Sequence, residues 1–159
     1  MAKYLTSQVF SLYNEDMKNI SVTGRNNFPP LLHLVYILQQ TSDETLAKEV
    51  GVGLSQARIM SVLHSSVPRS QRTVASSLSQ TEANVSRQLR QMKNHGLVGV
   101  TKNKKDTRQR DVVLTRKGAA KYQKAEKILK RQQADFLKLL SNSEVKAFES
   151  AARNLGAQL

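Results

Sequence analysis

Between Thr81 and His95 the chain carries a helical pattern that stops at Gly96, and two short β-branched segments then flank a dense basic run. Val98-Gly-Val100 precedes the run, Val112-Val-Leu114 follows it, and Lys102 to Arg110 (KNKKDTRQR) lies between them. Apolar alternation on both sides of a polar tip predicts a β-hairpin. A helix able to lie in one groove of a duplex, followed at once by a cationic hairpin able to reach a neighbouring groove, restricts the fold more than any other feature. That order of elements points to DNA binding.

The charge distribution agrees. Residues 1–60 carry five basic and five acidic side chains, and residues 141–159 carry two of each. Residues 61–140 carry eighteen basic and five acidic side chains, which accounts for the entire net charge of +13. A localised field of one sign is the footprint of a polyanion.

The 159 residues fit one domain, or one domain with an appendage. With no cysteine, the chain has no disulfide framework, no thiolate zinc site and no thiol redox sensor. No apolar run approaches the roughly 18 residues that span a bilayer, and MAKYLTSQVF lacks the apolar core and cleavage site of a signal peptide. These features lead us to expect a soluble, cytoplasmic protein without a membrane partner.

Met1 to Asn27 has weak periodicity, with a short helix expected around Ser7 to Met17. Pro29-Pro30 marks a helix start, and Leu31, Leu34, Val35 and Leu38 follow at helical spacing towards a stop at Gly51-Val-Gly53. Ser55 is expected to cap a second helix with Ile59, Met60, Val62 and Leu63 inside, ended by Pro68. Ser70 starts a third, short helix, and Ser79-Gln-Thr forms the turn to the next. That next helix is capped either by Thr81 or by Ser79 with Glu82 as its capping-box partner. Two short helices joined by a tight polar turn, the second one basic, have the order of a helix-turn-helix. After the hairpin Thr115 caps a long helix from Arg116 to about Leu140, in which Gly118 is expected to cost little. Ser141-Asn-Ser-Glu144 opens a last helix as a capping box.

On a helical wheel of Thr81–His95, Val85, Leu89 and Met92 share a narrow inner arc. The opposite arc holds Ala83, Asn84, Arg87, Arg90 and Gln91. Arginine pairs with guanine, asparagine or glutamine pairs with adenine, and the small Ala83 lets the helix N-terminus, with Thr81, approach a groove, or touches a thymine methyl. In the hairpin, Lys102, Lys104, Lys105, Arg108 and Arg110 crowd nine residues and repel one another unless phosphates neutralise them. Asp106 is expected to shape the turn, Arg108 to enter a minor groove, and the lysines to grip phosphates.

Asp106-Thr107-Arg108 followed by Val112-Val-Leu-Thr115 resembles the wing signature of the MarR family of winged-helix bacterial transcriptional regulators. Val85-Ser-Arg87 and Lys93-Asn-His-Gly-Leu-Val98 resemble that family's recognition helix and its exit. The resemblance runs from about Leu31 to the C-terminus. It implies a mainly α fold with a small antiparallel hairpin, the wing, and dimerisation helices at both ends. Residues 1–27 would be an extension. Residues 28–159 would be the winged helix-turn-helix domain, with 55–115 as the DNA-binding lobe and 28–50 and 116–159 as dimerisation helices. It further implies a homodimer on a pseudopalindromic duplex, with Arg87 touching DNA from the recognition helix and Arg108 from the wing. The long extension and the glycine-rich segment Gly51-Val-Gly53-Leu-Ser55 depart from the family's pattern.

Other chemistry finds little support. His33, His64 and His95 do not stand at metal-ligand spacing, Gly51-x-Gly53 follows no strand, and no catalytic constellation is visible, so neither a metal, a cofactor nor an enzyme is expected. The long helix carries Arg116, Lys117, Lys121, Lys124, Lys127, Lys130 and Arg131. Its start is expected near the DNA backbone and its distal part as a solvated face. Related regulators bind a small apolar or phenolic effector, for which Leu32, Tyr36, Met60 and Leu63 are the candidate lining, and those side chains would serve equally as core. Two other readings of the basic surface stay open here: a non-specific architectural DNA-binding protein and an RNA-binding winged helix.

Overall fold

The computed structural model describes residues 29–65, 67–102 and 110–158. Its elements run α1 (Pro30–Val50), α2 (Leu54–Leu63), β1 (Arg69–Ser70), α3 (Gln71–Ser77), α4 (Glu82–Asn94), β2 (Val98–Lys102), β3 (Arg110–Leu114), α5 (Arg116–Leu137) and α6 (Asn142–Gly156). The expected extension 1–27, with its helix at Ser7 to Met17, lies outside the described residues. So does the tip of the hairpin, residues 103–109.

Two compact units divide the chain. One is Gln39–Ile128, and the other is formed by the chain up to Leu38 and from Leu129 onward. The division therefore passes through the interior of α1 and of α5.

The 39–128 unit holds the helix-turn-helix and the sheet. Leu46, Ile59, Met60, Leu63, Val74, Val85, Met92 and Leu97 are its fully buried large side chains. Burying an aliphatic side chain of this size contributes about 2 kcal/mol. Among the described residues no polar or charged residue is buried as a whole.

Local capping explains most boundaries. α3 begins where the Ser70 hydroxyl accepts from the Thr73 N–H (3.1 Å). In the turn after α3, Ser79 takes a left-handed φ of 51°. Of the two caps open for α4, the structure uses Thr81, whose Oγ1 accepts from the Asn84 N–H (3.3 Å). α2 departs from expectation. Its N-cap is Gly53, which offers no side-chain hydrogen bond, and the Leu54 N–H is satisfied by the Asp43 carboxylate of α1 (2.7 Å). Ser55 lies inside the helix, where its hydroxyl accepts from Gln88 Nε2 of α4 (2.5 Å).

The hairpin forms with Val98 opposite Leu114, Val100 opposite Val112 and Lys102 opposite Arg110. A third strand joins it. Arg69 pairs with Val112 and Ser70 with Asp111, which makes β3 the centre of an antiparallel sheet of order β1-β3-β2. The two-residue β1 gives β3 a partner on its second edge and ties the start of the helix-turn-helix to the wing.

α4 leaves its last turn through a Schellman motif. The Gly96 N–H bonds to Lys93 O (2.9 Å), the Leu97 N–H bonds to Met92 O (2.8 Å), and Gly96 supplies the required positive φ of 68°. Thr115 closes on this exit. Its N–H donates to Leu97 O (3.0 Å) and its hydroxyl donates to Gly96 O (2.7 Å), while that same hydroxyl oxygen accepts from the Gly118 N–H (3.0 Å) to cap α5. α5 can approach this closely because residue 118 has no side chain. A Cβ there would stand 2.0 Å from Leu97 O. Gly118, expected to be only a mild penalty in a helix, is a packing requirement.

The remaining unit is less enclosed. α6 buries none of its side chains, and Phe148 meets Phe136 edge to face with ring centres 6.5 Å apart. The expected capping box is present: the Ser141 hydroxyl accepts from the Glu144 N–H, and Glu144 Oε2 accepts from the Ser141 N–H (2.8 Å) and hydroxyl (2.7 Å). The Ser141 hydroxyl, and after it the Ser141 N–H, hold the Glu144 carboxyl below its ordinary pKa.

Two outcomes are expected. Helix propensity alone favours Gly118→Ala by about 1 kcal/mol, whereas the clash with Leu97 O should make it destabilising by about 1–3 kcal/mol. Urea unfolding at equilibrium reads the sign. For Glu144, a depressed folded pKa means that the cap's contribution is complete above the ordinary glutamate pKa and is lost as pH falls through the lower folded value. Carboxyl NMR titration should place Glu144 below the usual glutamate range in wild type and higher in Ser141→Ala, which keeps only the backbone N–H bond. An unchanged pKa in that variant would contradict the cap.

Candidate nucleic-acid interface

α4 has two chemically distinct sides. Val85, Leu89 and Met92 are buried, as their spacing predicts, and their packing leaves the opposite side outward. Ala83, Arg87, Arg90 and Gln91 are exposed there, and Asn84 is half-buried. No acidic side chain among the described residues pairs with Arg87 or Arg90. Asn84 occupies the middle of a short polar chain: its Oδ1 accepts from an Arg87 guanidinium nitrogen (2.8 Å), and its Nδ2 donates to Gln80 Oε1 (3.2 Å). The Asn84–Arg87 bond holds the arginine along the helix surface, one turn from the N-terminus. Thr81 is exposed and its hydroxyl is committed to the cap.

Sequence patterning missed what holds this helix. Gln88 bonds to Ser55 of α2, Gln71 Nε2 donates to Glu82 O (3.3 Å) at the first turn of α4, and Thr115 seizes its exit. Gln88 stands between the inner and outer arcs of the wheel. That position was the available signal that it faces a neighbour rather than solvent.

At the wing, Lys102 and Arg110 are exposed and stand directly opposite each other where the described strands end. Like charges so placed weaken cross-strand pairing, and an anion between them would relieve it. Lys104, Lys105, Asp106 and Arg108 lie outside the described residues.

The residues considered for an effector differ in exposure. Met60 and Leu63 are core of the 39–128 unit, at 0% and 1% exposure, while Leu32 and Tyr36 in the other unit are 52% and 56% exposed. Among the described residues no group of three His, Asp or Glu could hold a metal ion. The His64 ring leans on Tyr122, with centres 4.7 Å apart. No helix among the described residues is long and apolar enough to cross a membrane.

No family model matches the sequence, and no curated protein does. Solved structures match the fold. The Staphylococcus aureus MepR–DNA complex superposes with a TM-score of 0.71 at 18% identity, covering 85% of this chain and all (100%) of that one. A variant of Escherichia coli MarR complexed with operator DNA gives 0.68 at 21% identity, covering 82% of this chain and 96% of that one. Wild-type E. coli MarR in its apo form gives 0.67 at 20% identity, with 81% and 98% covered. The fold is therefore the winged helix of the MarR-type regulators, with the three-stranded sheet as its wing.

Proposed function

We propose that this chain is a MarR-family transcriptional regulator: a sequence-specific, cytoplasmic homodimer that binds duplex DNA, with α4 in the major groove and the wing in the flanking minor groove. The observation that carries the reading is the outer side of α4. It presents Asn84, Arg87, Arg90 and Gln91 on a helix whose opposite side is anchored in the core. These are the side chains whose forked donors and acceptors match guanine and adenine edges. Lys102 and Arg110, with Lys104, Lys105 and Arg108 of the tip, supply the phosphate and minor-groove contacts, and Asp106 shapes the turn.

The homodimer is supported by the apolar surface of the smaller unit. Leu31, Leu32, Val35 and Tyr36 of α1 and Phe148 and Leu155 of α6 are all more than 40% exposed, and α6 buries no residue of its own. A second copy would cover this surface, and a two-fold pair of α4 helices would read two half-sites one helical turn apart. The DNA complexes of MepR and MarR, similar in fold, support the same reading.

Arg87→Ala should cost about 1–3 kcal/mol on the preferred duplex and less on random sequence, because it removes a base contact. Arg108→Ala should weaken both. Competition by random duplex in a gel shift should favour the operator by roughly 10³-fold or more. Equal competition would make the chain an architectural DNA-binding protein, and preference for structured RNA would exclude the duplex reading. Light scattering at micromolar concentration should give twice the chain mass, and a monomer would contradict the dimer.

A further inference from the structure

α5 carries seven basic residues, expected either to lie near DNA or to face solvent. Three of them donate to backbone carbonyls at helix ends, two from exposed positions (Lys117, Lys124) and one half-buried (Lys121). The Lys117 ammonium donates to His95 O (2.9 Å), the Lys121 ammonium to Val50 O, and the Lys124 ammonium to Glu49 O (2.6 Å). Residues 117, 121 and 124 recur at i, i+4 and i+7, so they form one stripe along α5. Their acceptors are also of one kind. His95 is the C-cap of α4, and Glu49 and Val50 end α1. Terminal carbonyls of a helix lack intrahelical partners and carry the negative end of its dipole, which is where a cation gains most.

We infer that Lys117, Lys121 and Lys124 are positioning residues for DNA binding: they fasten the C-termini of α4 and α1 to one stripe of α5 and do not themselves contact phosphate. This rests on the DNA-binding reading above. Lys117 grips the end of the helix that presents Arg87 and Arg90. Lys121 and Lys124 grip the end of α1, which, with α5, is one of the two helices that carry the chain out of the 39–128 unit. The stripe thus joins the reading helix to both helices that leave its lobe. An ammonium committed to a helix-end carbonyl is poorly placed to release counterions from a duplex.

Salt dependence separates the two roles. A lysine on a phosphate contributes about 0.9 to the slope of log K against log salt, and a lysine that acts through helix position contributes nothing to it. Fluorescence anisotropy on one fixed duplex across a salt series reads both affinity and slope. Lys117→Met and Lys121→Met should each weaken binding roughly 3- to 10-fold, the equivalent of a net hydrogen bond, with the wild-type slope retained. Lys117→Arg, which keeps a charged donor, should recover most of the affinity. Circular dichroism at the assay temperature confirms that each variant is folded, and Lys117, being exposed, tolerates the change without loss of core. If wild type binds and the lysine variants lose slope, or lose no affinity, the positioning role is overturned while the DNA reading stands. If wild type binds no duplex, the DNA reading falls and the positioning role with it.

Discussion

The backbone turn at Gly96–Leu97 is the point on which the 39–128 unit depends. It ends α4, starts β2, and receives Thr115 and Gly118 from the junction of β3 with α5. Leu97 itself is 1% exposed, so its carbonyl has no recourse to water and must be satisfied from within. Thr115 supplies that bond through its N–H and reinforces it with its hydroxyl (3.2 Å). One threonine therefore closes α4, caps α5 and seals a buried carbonyl. The price is a residue without a side chain three positions later.

The basic residues of the middle segment divide by what they touch. Lys117, Lys121 and Lys124 are held against helix C-termini, where positive charge stabilises the fold. Arg87, Arg90, Lys102 and Arg110 stand outward, and their field is available to a polyanion. Sequence charge counting sees one population, and tertiary structure separates it into a set held against helix ends and a set that stands outward.

Periodicity and capping chemistry made much of the fold legible. Val85, Leu89 and Met92 had to face inward, Ser70 and Ser141 announced their helices, and the β-branched segments around the basic run paired in the expected antiparallel way. What stayed hidden depends on residues distant in sequence. Asp43 replaces Ser55 as the acceptor at α2 because the fold brings α1 alongside it. β1 is two residues long, too short for any alternation, and exists only because β3 has a free edge. The space around Gly118 is set by Leu97, twenty-one positions earlier, and helix propensity carries no trace of it. The apolar stripe of early α1 was readable as a stripe, but spacing cannot say whether the same chain or another copy covers it. On the outer side of α4, residue types and their outward direction were legible. The bond that sets Arg87 along Asn84 was not, because it depends on rotamers rather than on spacing.

The central claim is that a rigid junction presents the outer side of α4 to DNA. Titration of an isotope-labelled chain with duplex, followed through backbone and side-chain amide shifts, tests it directly. The account predicts large changes at Asn84, Arg87, Arg90 and Gln91, with Leu97, Thr115 and Gly118 nearly unmoved. Shifts concentrated at the junction or on α6, with α4 silent, would contradict it.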